Sequence, residues 1–446
     1  MKVKLKHEIR DPINGFIKVL QDEREILDSL PLQRLRDITQ LSLTYLLYPS
    51  ATHKRFEHSL GVMELATRVF DVITAPENIS LDIERIIPEV RDKDSRRYWR
   101  RVIRIAALCH DIGHLPFSHA GEKELFPEGW NHERMTAKII KEKLKEPLRR
   151  LTPPVRVEDV IKIAIGPREL KNIYPDWEFS DWETILSEII VGDAFGVDRM
   201  DYLLRDSHHI GVAYGKFDHF RLIDTLRILP DPQSNEPKLG IEIGGLHVAE
   251  SLLLARYFMY SQVYFHHIRR IYDIHLKEFL KEWLKTKKNE SKFPTNTEEF
   301  LSYTDSIVLA EIYKAANDSK LPGHEHARRI AQRDHFKLVY ERSPADIEVN
   351  LDAVKVIYEA LQEKYGEKNI AIDEYEEKGG IPDFLIIDRN EKIISAFSVS
   401  DVLSKLPKVI TGFVFINPEY RKEAKNWLDQ NKNKILKIKK EVIEDE

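Results

Sequence analysis

The residues best suited to chemistry lie in one short run, Cys109-His110-Asp111-Ile112-Gly113-His114, at the end of an apolar stretch. An imidazole and a carboxylate side by side can both reach one cation where the backbone bends. Nitrogen and oxygen donors of this kind suit a divalent metal. Two donors do not close a site. His58, in Arg55-Phe56-Glu57-His58-Ser59, and Asp198, in Val197-Asp198-Arg199-Met200-Asp201-Tyr202, are two further candidates. Spacing alone does not bring them together. A single histidine on an apolar helix is more often a core or surface residue than a ligand, so the weight rests on the ordered set.

The elements that must carry these residues read mostly as helices. Leu60, Val62, Met63, Leu65, Ala66, Val69 and Phe70 share one face and predict a helix over 59–73. Val102, Ile103, Ile105, Ala106 and Leu108 predict a second over 98–109, delivering His110-Asp111 at its end, with a charged loop over 88–97 before it. Further helices are expected over 132–144, over 182–206 with Gly192 and Gly196 as interruptions, and over 247–284. Near the start, Asp11-Pro12-Ile13-Asn14-Gly15 is turn chemistry beside a short strand. Helical patterning begins at Leu27, with Pro31 at a boundary. Residues 285–297 are polar and contain Pro294, as a linker or surface loop would. Helical patterns resume to about Tyr365. Short strands follow at 384–387, 393–397 and 414–416. The expected fold is mainly α: a helical catalytic core over 1–285, a helical extension packed on it over 286–370, and a small α+β C-terminal lobe over 371–446, regulatory or oligomerising.

Composition narrows the class. The chain has 446 residues, 42% hydrophobic and 32% charged, with formal net charge -5. That mixture excludes a collagen-like or wholly disordered chain. The longest apolar segment, near 244–265, is broken by His247, Glu250 and Arg256, which argues against a membrane span. The charged first residues argue against a signal peptide. One cysteine, Cys109, cannot form an intramolecular disulfide, so a reducing, cytoplasmic compartment is expected. The mild acidity offers no general attraction for nucleic acid, yet permits a local basic pocket.

With these strings in hand, the sequence resembles the HD-domain phosphohydrolases, in particular their deoxynucleoside triphosphate triphosphohydrolase branch. The matching strings are Lys54-Arg55-Phe56-Glu57-His58-Ser59-Leu60-Gly61-Val62, Cys109-His110-Asp111-Ile112-Gly113-His114-Leu115-Pro116-Phe117-Ser118-His119, and Asp198-Arg199-Met200-Asp201-Tyr202 followed by Arg205-Asp206-Ser207-His208-His209-Ile210-Gly211. The resemblance is strongest over 9–270. It implies an HD-domain helical core and metal ligands His58, His110, Asp111 and Asp198 around one or more divalent ions, with Mn, Mg, Fe, Co, Ni and Zn all compatible. It implies His114, His119 and His132 as active-site histidines, with Glu122 pairing His132 where a human member of the branch has aspartate. Arg55, Arg199, Tyr202 and Arg256 match phosphate-contacting positions, Arg199 standing where that human member has lysine. Gln40, Leu41, Asp206 and Tyr264 match positions around the deoxyribose.

By the same resemblance the reaction is hydrolysis of a deoxynucleoside triphosphate (dNTP) to deoxynucleoside and inorganic triphosphate, with His114 or His132 giving a proton to the leaving oxygen. Asp28, Gln33 and Arg36 match an activator site for GTP or a dNTP in a homo-oligomer, dimer or tetramer. His7, Glu8 and Arg10 stand where the upstream phosphate contacts are not clearly kept, and an ordinary capped helix explains the three residues equally well. The human member's SAM domain is expected to be absent. Two other readings compete: a different HD enzyme (nucleotide phosphatase, phosphodiesterase or nuclease), and a non-enzymatic nucleotide sensor or nucleic-acid-binding assembly. The basic stretch 432–440 permits the latter, but acidic 441–446 follows it, so a solvated helix is the simpler reading.

Overall fold

The fold is seen in a computed structural model, which describes residues 6–118, 120–288, 290–376 and 380–437. It is predominantly helical, with smaller sheets. The chain groups into two compact units, each drawn from several segments. The first comprises 1–259, 292–308 and 381–406; the second comprises 260–291, 309–380 and 407–446. This grouping interleaves the three consecutive segments expected along the chain.

The first unit opens with a hairpin of β1 (Lys6–Asp11) and β2 (Gly15–Leu20), in register from Lys6 opposite Leu20 to Asp11 opposite Gly15. Gly15, at φ 78°, supplies the left-handed turn residue. The first long helix, α1 (Arg55–Ile73), buries the face anticipated from its spacing. It packs against α2 (Lys93–Cys109). α2 begins earlier than its apolar pattern suggests. Asp92 caps it by accepting from the amides of Asp94 and Ser95, so part of the expected charged loop is a solvated first turn.

Next come α3 (His132–Lys143), α4 (Asp181–Val191) and α5 (Val197–Ile210). The Gly192–Gly196 stretch separates the last two, as the interrupted pattern anticipated. β3 (Leu226–Pro230), β4 (Pro237–Glu242) and α6 (Leu246–Met259) follow. β5 (Leu385–Ile387) and β6 (Ile393–Ser395) return from the C-terminal part to complete a sheet ordered β3-β4-β5-β6, in which β5 runs parallel to β4. The helix expected over 247–284 is not continuous. It stops at Met259, a π-helical turn spans Tyr260–Tyr264, and a new helix runs His267–Lys288.

The second unit holds a three-stranded antiparallel sheet with Ile410–Ile416 between Lys337–Glu341 and Ile370–Glu376. The central strand splits its side chains by the period of two. Val414 and Ile416 join Val354, Ile357, Leu361 and Leu428 in one core. Phe413 and Phe415 pack with Ile271 and Phe336 in another. The sheet is therefore covered on both faces, which suits an almost unbroken apolar run. The basic stretch at 432 onward continues a helix that ends at Leu436, and residues 438–446 lie outside the described residues.

Within this unit His275 is buried, its Nδ1 3.2 Å from Nδ1 of His326, and its Nε2 accepts the Phe336 amide at 3.2 Å. Burial, with His326, Arg329 and His335 nearby, holds its pKa well below 6.5. The unfolded chain takes up this proton near pH 6.5, while the folded chain does so only at lower pH. The contribution is therefore complete above about pH 6.5 and is lost as pH falls through and below it. His275→Gln is expected to flatten the fall in thermal stability between pH 7 and 5. A variant with the wild-type slope would refute that source.

Candidate functional site

The site forms where α1, the end of α2 and α5 meet. Arg55 and His58 lie one turn apart at the start of α1. Asp198 and Asp201 lie one turn apart at the start of α5, with Arg205 a further turn on. His58 Nδ1–H donates to Asp201 Oδ2 at 2.8 Å, and its Nε2 is 3.0 Å from Asp198 Oδ1. Asp201 is gripped by Arg205 through two bonds, of 2.8 and 2.9 Å, and Arg205 also donates to Asp11 of β1 at 2.8 Å. A chain of charge-assisted bonds thus runs from the hairpin to the His58 ring and fixes its tautomer and angle. α1 and α5 approach closely because Gly61 has no side chain; a Cβ there would lie 1.9 Å from Asp201 Oδ1.

His110 is oriented differently. Its Nδ1–H donates to the Ala107 carbonyl at 2.8 Å, which leaves Nε2 carrying the lone pair. That nitrogen is buried and makes no hydrogen bond among the described residues; it stands 3.5 Å from Asp198 Oδ1 and 3.3 Å from Asp111 Oδ1. A buried imidazole nitrogen facing two carboxylates without a bond is what a cation ligand looks like from the protein side. The donor atoms of His58, His110 and Asp198 lie within 4.8 Å of one another. Asp111 stands beside this trio, its Oδ2 3.7 Å from His58 Nε2. It also accepts from Arg55 Nη1, and its other oxygen faces His114 Nε2 at 3.2 Å. Three of the four expected ligands therefore converge, and the fourth borders them in an ion pair with Arg55.

Charge is unevenly spread. Burial alone would depress His58, but its bonds to Asp198 and Asp201 push it up to about 10. Burial opposes ionisation of Asp111, yet Arg55, His110 and His114 hold it well below the usual carboxylate range.

A second group lies alongside. His132 is the first residue of α3. Both its amide (2.9 Å) and its Nδ1–H (2.6 Å) donate to Glu122 Oε1. Its ring stacks on His114 with centroids 4.0 Å apart. Burial lowers His132, but Glu122 raises it to about 9. Burial, Arg55 and His132 keep His114 well below 6.5. Of the stacked pair, His132 is the one whose surroundings favour the protonated form. His114, Glu122 and His132 also form a second group able to hold a divalent ion. His119 lies outside the described residues.

The backbone N–H of Gln40 donates to the His53 carbonyl at 3.1 Å, and its buried Oε1 makes no hydrogen bond among the described residues. Leu41 is buried. Asp206, buried on α5, meets His53 Nε2 at 2.7 Å, and His209 stacks on His53. Tyr202 follows Asp198 by one turn of α5, and Arg256 lies on α6. Arg199 turns back over the end of α4, donating to the carbonyls of Gly192 and Asp193. Tyr264 belongs to the second unit, in the π turn. Asp28, Gln33 and Arg36 share one short segment and have local partners. Asp28 pairs with Arg24 at 2.9 Å; Gln33 donates to the Leu27 carbonyl and accepts from Arg36 Nε, and Arg36 lies 3.6 Å over the Phe56 ring. The sequence reading missed His53 and Asp201. Both flank expected site residues, which was the available signal.

Residues 55–206 match the family model for the HD domain and residues 217–392 that for the HD-associated region. A crystal structure of a hypothetical protein from Aquifex aeolicus resembles the chain with a TM-score of 0.75 and 32% identity, covering 95% of this chain and 100% of that one. The chain belongs to the HD-domain phosphohydrolase family. Among curated HD relatives, an uncharacterized protein from Methanocaldococcus jannaschii is 33% identical over 377 residues, 82% of this chain and 68% of that protein. The human deoxynucleoside triphosphate triphosphohydrolase SAMHD1 is 30% identical over 368 residues, 75% of this chain. The chain spans 55% of the human protein's length. No helix among the described residues of this HD protein is long and apolar enough to cross a membrane.

Proposed function

We propose that this HD-domain phosphohydrolase cleaves dNTPs to deoxynucleoside and inorganic triphosphate. The observation that carries the reading is the trio His58, His110 and Asp198 beside Arg55, with His132 held on Glu122 and stacked on His114. The likeness to the human deoxynucleoside triphosphate triphosphohydrolase SAMHD1 adds support for the substrate class. A divalent ion bound by the trio, with Asp111 as the fourth ligand, would supply Lewis-acid chemistry to a phosphate oxygen.

The chain's own residues do the rest. Arg55, Arg199 and Arg256 offset triphosphate charge, and the guanidinium of Arg55 is held in place by Asp111. Water adds to the α-phosphorus and the bond to the 5'-oxygen breaks; His132 delivers its proton to that oxygen while Glu122 fixes the ring, and the proton lost by the attacking water passes to solvent, from which His132 is recharged. His114, kept neutral, stacks on His132 without competing for the charge. Gln40, Leu41 and Asp206 recognise the deoxynucleoside. The family motif adds His119 to the catalytic residues, and Asp28, Gln33 and Arg36 form an activator site in a homo-oligomer.

Incubating the protein with each of the four dNTPs, with Mn, Mg, Fe, Co, Ni or Zn and with or without GTP, is expected to release deoxynucleoside and intact triphosphate. Deoxynucleoside monophosphate with pyrophosphate, or no turnover under any pairing, would refute the assignment. An unchanged rate and unchanged mass in solution with every nucleotide would refute the activator site.

A further inference from the structure

We propose that Asp305 is a positioning residue that holds the His114 turn against the Thr39–Gln40 edge of the site. Asp305 lies far along the chain from both, outside the residues that match the HD domain. Its carboxylate is 1% exposed and takes three hydrogen bonds from two separate segments. Oδ2 accepts from the Thr39 amide at 2.7 Å and the Thr39 hydroxyl at 2.6 Å. Oδ1 accepts from the Phe117 amide at 2.7 Å.

The turn so held is a costly one. Phe117 and Ser118 are consecutive non-glycine residues at φ 59° and 61°. Such a conformation persists only where its surroundings over-determine it. The surroundings here are specific. Ser118 Oγ–H donates to the Thr39 carbonyl at 2.6 Å, and the same oxygen accepts from Arg55 Nε at 2.7 Å. Arg34, fully buried, donates from Nη1 to the His114 carbonyl and from Nε to the Tyr303 carbonyl, both at 2.9 Å. The 303–305 segment therefore grips the turn at both ends, at His114 through Arg34 and at Phe117 through Asp305. Thr39 in turn bridges Lys54, next to Arg55. One carboxylate thus sets His114 in register with Arg55 and Gln40.

The chemistry calls for aspartate rather than its amide. Three donors need acceptors at both oxygens. In Asp305→Asn the single oxygen can stay with Thr39, but the amide NH2 then faces the Phe117 N–H, donor against donor.

The test is Asp305→Asn in the full-length protein, with Asp305→Glu as a second variant that keeps both oxygens on a longer arm and carries the test should the first not fold. Hydrogen exchange at 115–118 is expected to speed at least ~10-fold in the asparagine variant and less in the glutamate variant, with α1 and α5 unchanged. Bound metal should stay at the wild-type level, because no ligand is touched. kcat should fall on the order of 10²-fold, the effect of roughly 1 Å of misplacement, with KM little changed. The kinetic arm rests on the proposed phosphohydrolase reaction; the exchange arm does not. Wild-type protein inactive on every dNTP would refute that reaction while exchange still decides the clamp. Unchanged exchange at 115–118, or a kcat loss matched by an equal loss of metal, would overturn the proposal.

Discussion

His110→Ala or Asp198→Ala is expected to leave the protein without its divalent ion and to lower turnover on the order of 10⁴-fold, the scale of removing an essential catalytic group. The size follows from how the trio is built. His110 Nε2 is buried with no hydrogen bond among the described residues, and its tautomer is set by the Ala107 carbonyl. An unpaired buried polar atom costs about 1–3 kcal/mol, which a bound ion offsets. Without metal, His110→Ala should therefore be no less stable than wild type by that atom's account. With metal, the wild type should gain melting temperature and the variant should not. Asp201→Asn provides the graded comparison. Asp201 does not belong to the trio but orients His58 at 2.8 Å. Its loss should weaken metal affinity by ~10–100-fold. Arg205 would retain Asp11, so the buried guanidinium is not left alone. Metal content by elemental analysis, read beside turnover and melting with and without metal, checks all three variants. Stoichiometric metal with full turnover in His110→Ala would refute the site.

How much of this could be read in the sequence differs by residue. His58, His110 and Asp198 were legible because their types and order form a motif, and α1 and α2 because their apolar faces repeat at helical spacing. The distance between the two ends of the motif was not legible. It depends on Gly61 admitting α5 and on the Asp11–Arg205–Asp201 chain, which joins residues remote in sequence. Asp305 gave no signal at all, since a single aspartate after a polar stretch looks like any helix start. The strands near the C-terminus showed in their β-branched and aromatic runs, yet their partners did not. Leu385–Ile387 pairs with Pro237–Glu242 in the first unit, while Ile410–Ile416 is central to the second, and periodicity carries no information about pairing. Pro237–Glu242 and Lys337–Glu341 were missed as strands because Pro, Lys, Gly and Glu dilute their alternation.

Gly113→Ala is expected to reduce turnover by on the order of 10²-fold or more, through the backbone rather than through any functional group. A Cβ on Gly113 would lie 2.2 Å from the His132 carbonyl oxygen, 2.4 Å from the Thr136 amide nitrogen and 2.6 Å from Thr136 Oγ1. Two of these are main-chain atoms of α3 and cannot swing aside. The contact is close because Thr136 staples the two segments, its hydroxyl accepting from the Gly113 amide at 3.0 Å and donating to the His110 carbonyl at 3.1 Å. One added methyl must then part α3 from the turn after Asp111, carrying His132 and its bond to Glu122 away from His114. Overpacking of this kind also costs about 1–3 kcal/mol of stability. Gly380→Ala serves as the control, because a Cβ there meets nothing within 4 Å. Melting temperature and kcat measured on both variants decide the matter. Wild-type values in Gly113→Ala would mean that α3 can withdraw without consequence, and that His132 and Glu122 are not held at the reacting bond by this contact.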